Sequence, residues 1–150
     1  MSRNKKNDSQ NQEPETKETR KEALTRLFLE NGLVKEDVHK DPRGFVIITR
    51  SGIDKIVSKQ GITVGYEIIK LDLEKDKVNV VIKAAAQMKL NNKEVRNMMS
   101  FGESSDSNLM GGAKKFPVAM AEKRAMSRVV LKIAGFYEQG KVFGEGELAE

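Results

Sequence analysis

The period of the apolar positions changes along the chain, and each change predicts a different element. Ala23, Leu24, Leu27 and Phe28 recur at the three- and four-residue spacing of one helical face, and Gly32 follows as a stop. A first amphipathic helix is therefore expected from Lys17 to about Asn31. A loop holding Asp41, Pro42, Arg43 and Gly44 leads into a short β-branched run, Phe45 to Thr49. Ile53, Ile56 and Val57 then share one face of a short second helix, Gly52 to Lys59, ended near Gly61.

From Ile62 the period falls to that of a strand. Ile62, Val64, Tyr66 and Ile68 alternate with Thr63, Gly65 and Glu67, and the alternation slips phase at Ile68-Ile69 before Leu71 and Leu73. Glu74 to Lys77 make a polar turn, and Val78, Val80, Ile82, Ala84, Ala86 and Met88 line one face of a second strand. Leu90 to Lys93 signal another turn, with a third strand marked by Val95, Met99 and Phe101. Short turns between consecutive strands predict an antiparallel meander.

A Gly/Ser/Asp-rich loop is expected from Gly102 to Gly112, and after it comes the clearest helix, with Pro117 in its first turn and Gly135 past its end. At roughly 100° per residue, Val118, Ala125, Met126, Val129, Val130 and Ile133 fall on one broad arc that should pack on the sheet. The expected class is α+β, an antiparallel three-stranded meander packed against a long C-terminal helix (a β-β-β-α core), with N-terminal helices before it. Residues 1–16 lack the apolar side chains that would offset the entropy of ordering and read as a disordered polar tail. The domain then runs over 17–145, and 146–150 form an acidic C-terminal tail.

Composition narrows the function. The chain has 150 residues and no Cys, which removes disulfides and thiolate metal sites and agrees with a reducing compartment. No apolar run opens it, so neither a signal peptide nor a membrane span is expected and the protein reads as cytoplasmic. The net charge of +5 hides an asymmetry: residues 23–136 hold twenty basic against thirteen acidic groups, whereas 137–150 hold one Lys and four Glu. A basic body with an acidic tail suits a protein that meets polyanions, because the body attracts phosphate and the tail moderates non-specific contact.

Arg124, Arg128 and Lys132 stack at four-residue intervals along one flank of the last helix, with Lys123, Lys114 and Lys115 near its start. Guanidinium groups stay charged and bind two phosphate oxygens at once, so this cationic ridge is the first candidate contact surface; an ordinary solvated helix face is the alternative. Only Glu122 is acidic between Asp106 and Glu138, and the wheel sets it inside the apolar arc. An ion pair is expected for it, with Lys83, Arg96 or a neighbouring subunit. Lys83 and Arg96 also join the candidate nucleic-acid contacts. Tyr66 and Phe101 could stack on unpaired bases, although core packing is the commoner role for a Phe such as Phe101.

The segment from Phe101 to Gly112 has neither P-loop spacing nor a GxGxxG turn, which disfavours nucleotide hydrolysis. His39 stands alone, so no zinc site or Ser/His triad is supported, and it reads as a surface loop residue. No catalytic residue, cofactor, metal or small-molecule substrate is expected.

The meander, the glycine-containing loop and the helix Phe116-Pro117-Val118-Ala119-Met120-Ala121-Glu122-Lys123-Arg124-Ala125-Met126-Ser127-Arg128-Val129-Val130-Leu131-Lys132 together resemble the single-strand annealing proteins. That superfamily includes the Erf-like phage recombination proteins and their eukaryotic recombination-mediator relatives. The likeness covers about residues 45–145 and is strongest over Ala121 to Arg128. It implies binding of single-stranded DNA along a basic groove, homo-oligomers in rings or filaments, and strand annealing without nucleotide hydrolysis in recombination, replication or repair. Two other readings remain: a structural or interaction protein, such as a viral assembly component, whose basic face meets an acidic partner, and a metal-dependent nuclease using Glu103, Asp106 and Glu122.

Overall fold

Thr19 opens the first helix, α1 (Arg20–Glu30), by accepting the Glu22 N–H on its hydroxyl. The computed structural model describes residues 17–148, so the polar tail expected over 1–16 lies outside the described residues. A second Thr cap, Thr49, starts α2 (Arg50–Gln60), which Gly61 ends at φ +63°, a conformation that glycine adopts without strain. Leu24 and Leu27 of α1 and Ile53 and Ile56 of α2 are buried.

Three long strands follow, β3 (Thr63–Asp72), β4 (Asn79–Lys89) and β5 (Val95–Ser105), paired antiparallel in the order β3-β4-β5. This is the expected meander, and its register shifts between Ile68 and Lys70, where the alternation slips. Helix α3 (Pro117–Ile133) lies over β4 and β5 and leaves β3 projecting beyond it. Small side chains make that contact: Ala84 and Ala86 on β4, Gly102 on β5, and Ala121 and Ala125 on α3 are all buried. A methyl at Gly102 would collide with the Ala121 carbonyl oxygen and the Ala125 amide nitrogen, so β5 meets the helix backbone directly there.

The β-branched run expected over Phe45 to Thr49 is a strand, but the second sheet it belongs to was not legible in the sequence. Its strands β1 (Val38–Lys40), β2 (Val46–Ile48) and β6 (Val142–Gly144) are three residues each, too short to show a period. β1 and β2 are antiparallel, whereas β6 returns from far along the chain to pair parallel with β2. His39 thus sits on a strand, although exposed as expected.

Two expectations about β5 need correction. The strand continues to Ser105, so the loop begins at Asp106 rather than Gly102. Val95, Met99 and Phe101 point away from α3, and the positions that pair with the buried row of β4 are Arg96, Met98, Ser100, Gly102 and Ser104. Phe101 is consequently 44% exposed instead of packed in the core. Among the described residues no helix is long and apolar enough to cross a membrane.

Candidate nucleic-acid interface

Two neighbouring arginines of α3 are held against the free edge of β5. Arg124 donates from Nε to the Gly146 carbonyl at 2.9 Å, from Nη1 to the Glu103 carbonyl at 2.9 Å and to Asn108 Oδ1 at 3.1 Å, and from Nη2 to the Asn108 carbonyl at 3.0 Å. Arg128 donates from Nη1 to the Phe101 carbonyl at 2.8 Å and to Glu103 Oε1 at 3.3 Å, and from Nε to Glu147 Oε1 at 3.2 Å. Burial, then the nearby Arg128 charge, lowers the pKa of Arg124.

Glu147 is the centre of a buried polar knot. Its side chain is 2% exposed, and its carboxylate accepts from Arg128, from the Tyr137 hydroxyl and from the Gly144 N–H. Burial drives its pKa up by more than the hydrogen bonds from Tyr137, the Gly144 N–H and Arg128 hold it down. Burial, with the adjacent Glu147 charge, likewise pushes the Tyr137 phenol up. Lys123 is also paired, 3.7 Å from Glu145. The expected domain boundary at residue 145 therefore falls within a packed segment: Gly146 and Glu147 are tied to α3.

The ridge is thus not the free cationic track that helix periodicity implies. Its acids come from Glu103 on β5 and from Glu145 and Glu147 after β6, far from α3 in the sequence. Lys132 makes no ion pair among the described residues, and Arg96 beside it donates to the Ile133 carbonyl at 3.1 Å, at the C-terminal end of α3. Lys114 and Lys115 are exposed on a single turn of 3-10 helix, Gly111–Lys115, with Phe116 next to them 62% exposed.

Glu122 also departs from expectation. It is exposed and makes no ion pair among the described residues, because it lies on the flank of α3 beyond which β3 projects and no strand faces it squarely. Tyr66 of β3 stands on the same side of the sheet, its pKa raised by burial and by the Glu122 charge. Lys83 belongs to the opposite sheet face and offers Glu122 nothing. The three carboxylates of the nuclease reading are engaged separately: Glu103 meets Arg128, Asp106 accepts the Val78 N–H, and Glu122 faces solvent.

What the fold does bring together is the sheet face turned away from α3. Phe101 and Lys83 are direct cross-strand partners there, with Met99 beside Ala85, and Gln87 donating to Asn97 Oδ1 at 3.1 Å. Ala85, Gln87, Asn97, Met99 and Phe101 are all exposed on that face. Lys83 has no ion-pair partner within 4 Å among the described residues, but Glu67 of β3 is its direct cross-strand partner on the side opposite Phe101, and Glu103 of β5 lies on the same face. Phe101 is the residue that periodicity under-read: its signal is its place two positions from Met99, opposite in parity to Gly102. No protein-family model matches this chain, and no curated protein matches it significantly.

Proposed function

We propose that this protein binds single-stranded nucleic acid, DNA in the first place, on the bare face of the β3-β4-β5 meander, and protects or anneals strands in recombination, replication or repair without nucleotide hydrolysis. The observation that carries this reading is the Phe101–Lys83 pair on an uncovered sheet. An exposed aromatic ring gives a base a stacking surface, and a cation one strand away gives its phosphate a partner; every base has a π-face, so such a platform tolerates any sequence. The basic body of the chain and the likeness of α3 to the annealing proteins support the same reading.

Assembly of several copies is part of it. Ile68, Ile69, Leu71 and Leu73 are each more than half exposed on the projecting β3 or just past it, and an outer strand with apolar side chains is a template for a second copy. Side-by-side copies would join many weak strand contacts into one strong one. The same exposed strand is what favours the second reading, a structural or interaction protein.

The experiment is a salt titration of binding to a labelled oligothymidylate. Wild-type affinity should fall linearly on a log–log plot, and Lys83→Ala should reduce the slope by about 0.7, the contribution of one single-strand phosphate contact. Binding that ignores both salt and Lys83 removes the sheet from the mechanism.

A further inference from the structure

We infer that the recess between Arg124 and Arg128 is a phosphodiester site that the chain's own Glu147 occupies in competition with the nucleic acid. The inference rests on the nucleic-acid reading and adds a second contact and a way of regulating it. The recess has a volume of about 190 Å³ and is lined by Glu103, Asn108, Arg124, Arg128 and Glu147. At its wall the Glu147 carboxylate fills an anion site, where the Arg128 guanidinium, the Tyr137 hydroxyl and the Gly144 N–H all converge on it. A carboxylate and the two non-bridging oxygens of a phosphodiester present the same forked, singly charged acceptor, so donors that fit one fit the other.

Position connects this site to the sheet face. Arg128 bonds the carbonyl of Phe101 at 2.8 Å, so a nucleotide stacked on the Phe101 ring would have its phosphate at the β5 edge, next to the guanidinium. The occupant lies in an irregular segment. Residues 145–148 belong to no helix or strand; besides the Arg124 bond to the Gly146 carbonyl, they are held by Glu145 N–H to Ile48 O at 2.9 Å, Glu147 N–H to Gly144 O at 3.1 Å and the Arg50 N–H to Glu145 Oε2 at 2.9 Å. Releasing them breaks no helix or strand, so the segment can open at less than the global cost. Glu145, 3.7 Å from Lys123, would uncover a third cation if it left with Glu147, at the loss of its bond from the Arg50 N–H.

The test compares full-length wild type with Glu147→Gln, whose one amide oxygen can still accept the Gly144 N–H while its NH2 group turns to the Tyr137 hydroxyl, and which loses the charge that holds Arg128. The probe is a fluorescein-labelled oligothymidylate of about 30 nucleotides, long enough for several contacts. Glu147→Gln should bind roughly 5- to 20-fold more tightly at moderate salt, with a log–log salt slope steeper by about 0.7 for each phosphate gained. Adding Arg128→Gln should abolish the gain. Tight binding by Glu147→Gln where wild type binds nothing supports the inference equally. Equal binding by wild type and Glu147→Gln overturns it and leaves the sheet-face reading standing, whereas no binding by either overturns both. If Glu147→Gln does not fold, the wild type decides by hydrogen exchange: the oligonucleotide should speed exchange of the Gly144 N–H that Glu147 holds, and an unchanged rate overturns the inference.

Discussion

Arg128 donates to the carbonyl oxygen of Phe101 at 2.8 Å, so the residue whose ring stands on the bare sheet face also anchors a guanidinium at the strand's edge. The two groups are separable by mutation, because the anchor is backbone and the platform is side chain. Phe101→Ala should weaken oligonucleotide binding roughly 5- to 50-fold, about the worth of one stacked base, while Phe101→Tyr keeps it. Since the ring is half exposed, the melting temperature should move little; a large drop with no change in affinity would make Phe101 a packing residue.

Gly102 faces the backbone of α3 with no room for a methyl. Gly102→Ala should force the helix off the sheet and cost about 3 kcal/mol or more, read by denaturant melts. Gly65 is the matched control, a strand glycine with nothing within 4 Å of its missing Cβ. Gly65→Ala should be neutral or slightly stabilising, and equal effects at the two positions would contradict the close packing of α3 on β5.

Asp37 is 3% exposed and accepts from Lys55 Nζ at 2.6 Å, Ser51 Oγ at 2.6 Å and the Val34 N–H at 2.9 Å. Burial alone would raise its pKa, but the hydrogen bonds from Lys55, Ser51 and Val34 outweigh it and bring the value down to about 2 from 3.8. With the folded value depressed, this carboxylate's stabilisation is complete above about pH 4 and is lost as the pH falls toward 2. Asp37→Asn should cost roughly 1–3 kcal/mol at neutral pH, the lower part of the buried-pair range because Lys55 is half exposed. The difference from wild type should shrink in melts below pH 3, the window in which the native carboxyl begins to protonate; a difference constant with pH would rule out the ion pair as its source.

The exposed apolar row on β3 predicts self-association through that strand. Wild type should sediment as an assembly, and Leu71→Lys or Ile69→Lys should shift it to monomer without lowering the melting temperature of the domain. Oligonucleotide affinity should fall with the loss of assembly, because the contacts of single copies no longer add. A monomeric wild type, or an assembly indifferent to both substitutions, points to another surface.

The ridge of Arg124, Arg128 and Lys132 shows where local pattern stops being informative. Helical spacing put the three on one flank, which is where they lie, and no acid within fifteen residues on either side of Glu122 suggested a free cationic face. The acids that pair with it, Glu103 and Glu147, are 25 and 19 residues from Arg128.

The order of the long elements, the phase slip in β3 and the start of α3 at Pro117 were determined by the sequence itself, because periodicity, caps and turn residues act through the backbone within a few positions. The β1-β2-β6 sheet, the outward face of Phe101, the exposure of Glu122 and the pairing of Arg128 with Glu147 were decided by tertiary structure alone. Each depends on which distant segments share a layer and on which flank of a helix meets a strand. Those are matters of long-range packing, and three-residue strands or single carboxylates carry no local period to announce them.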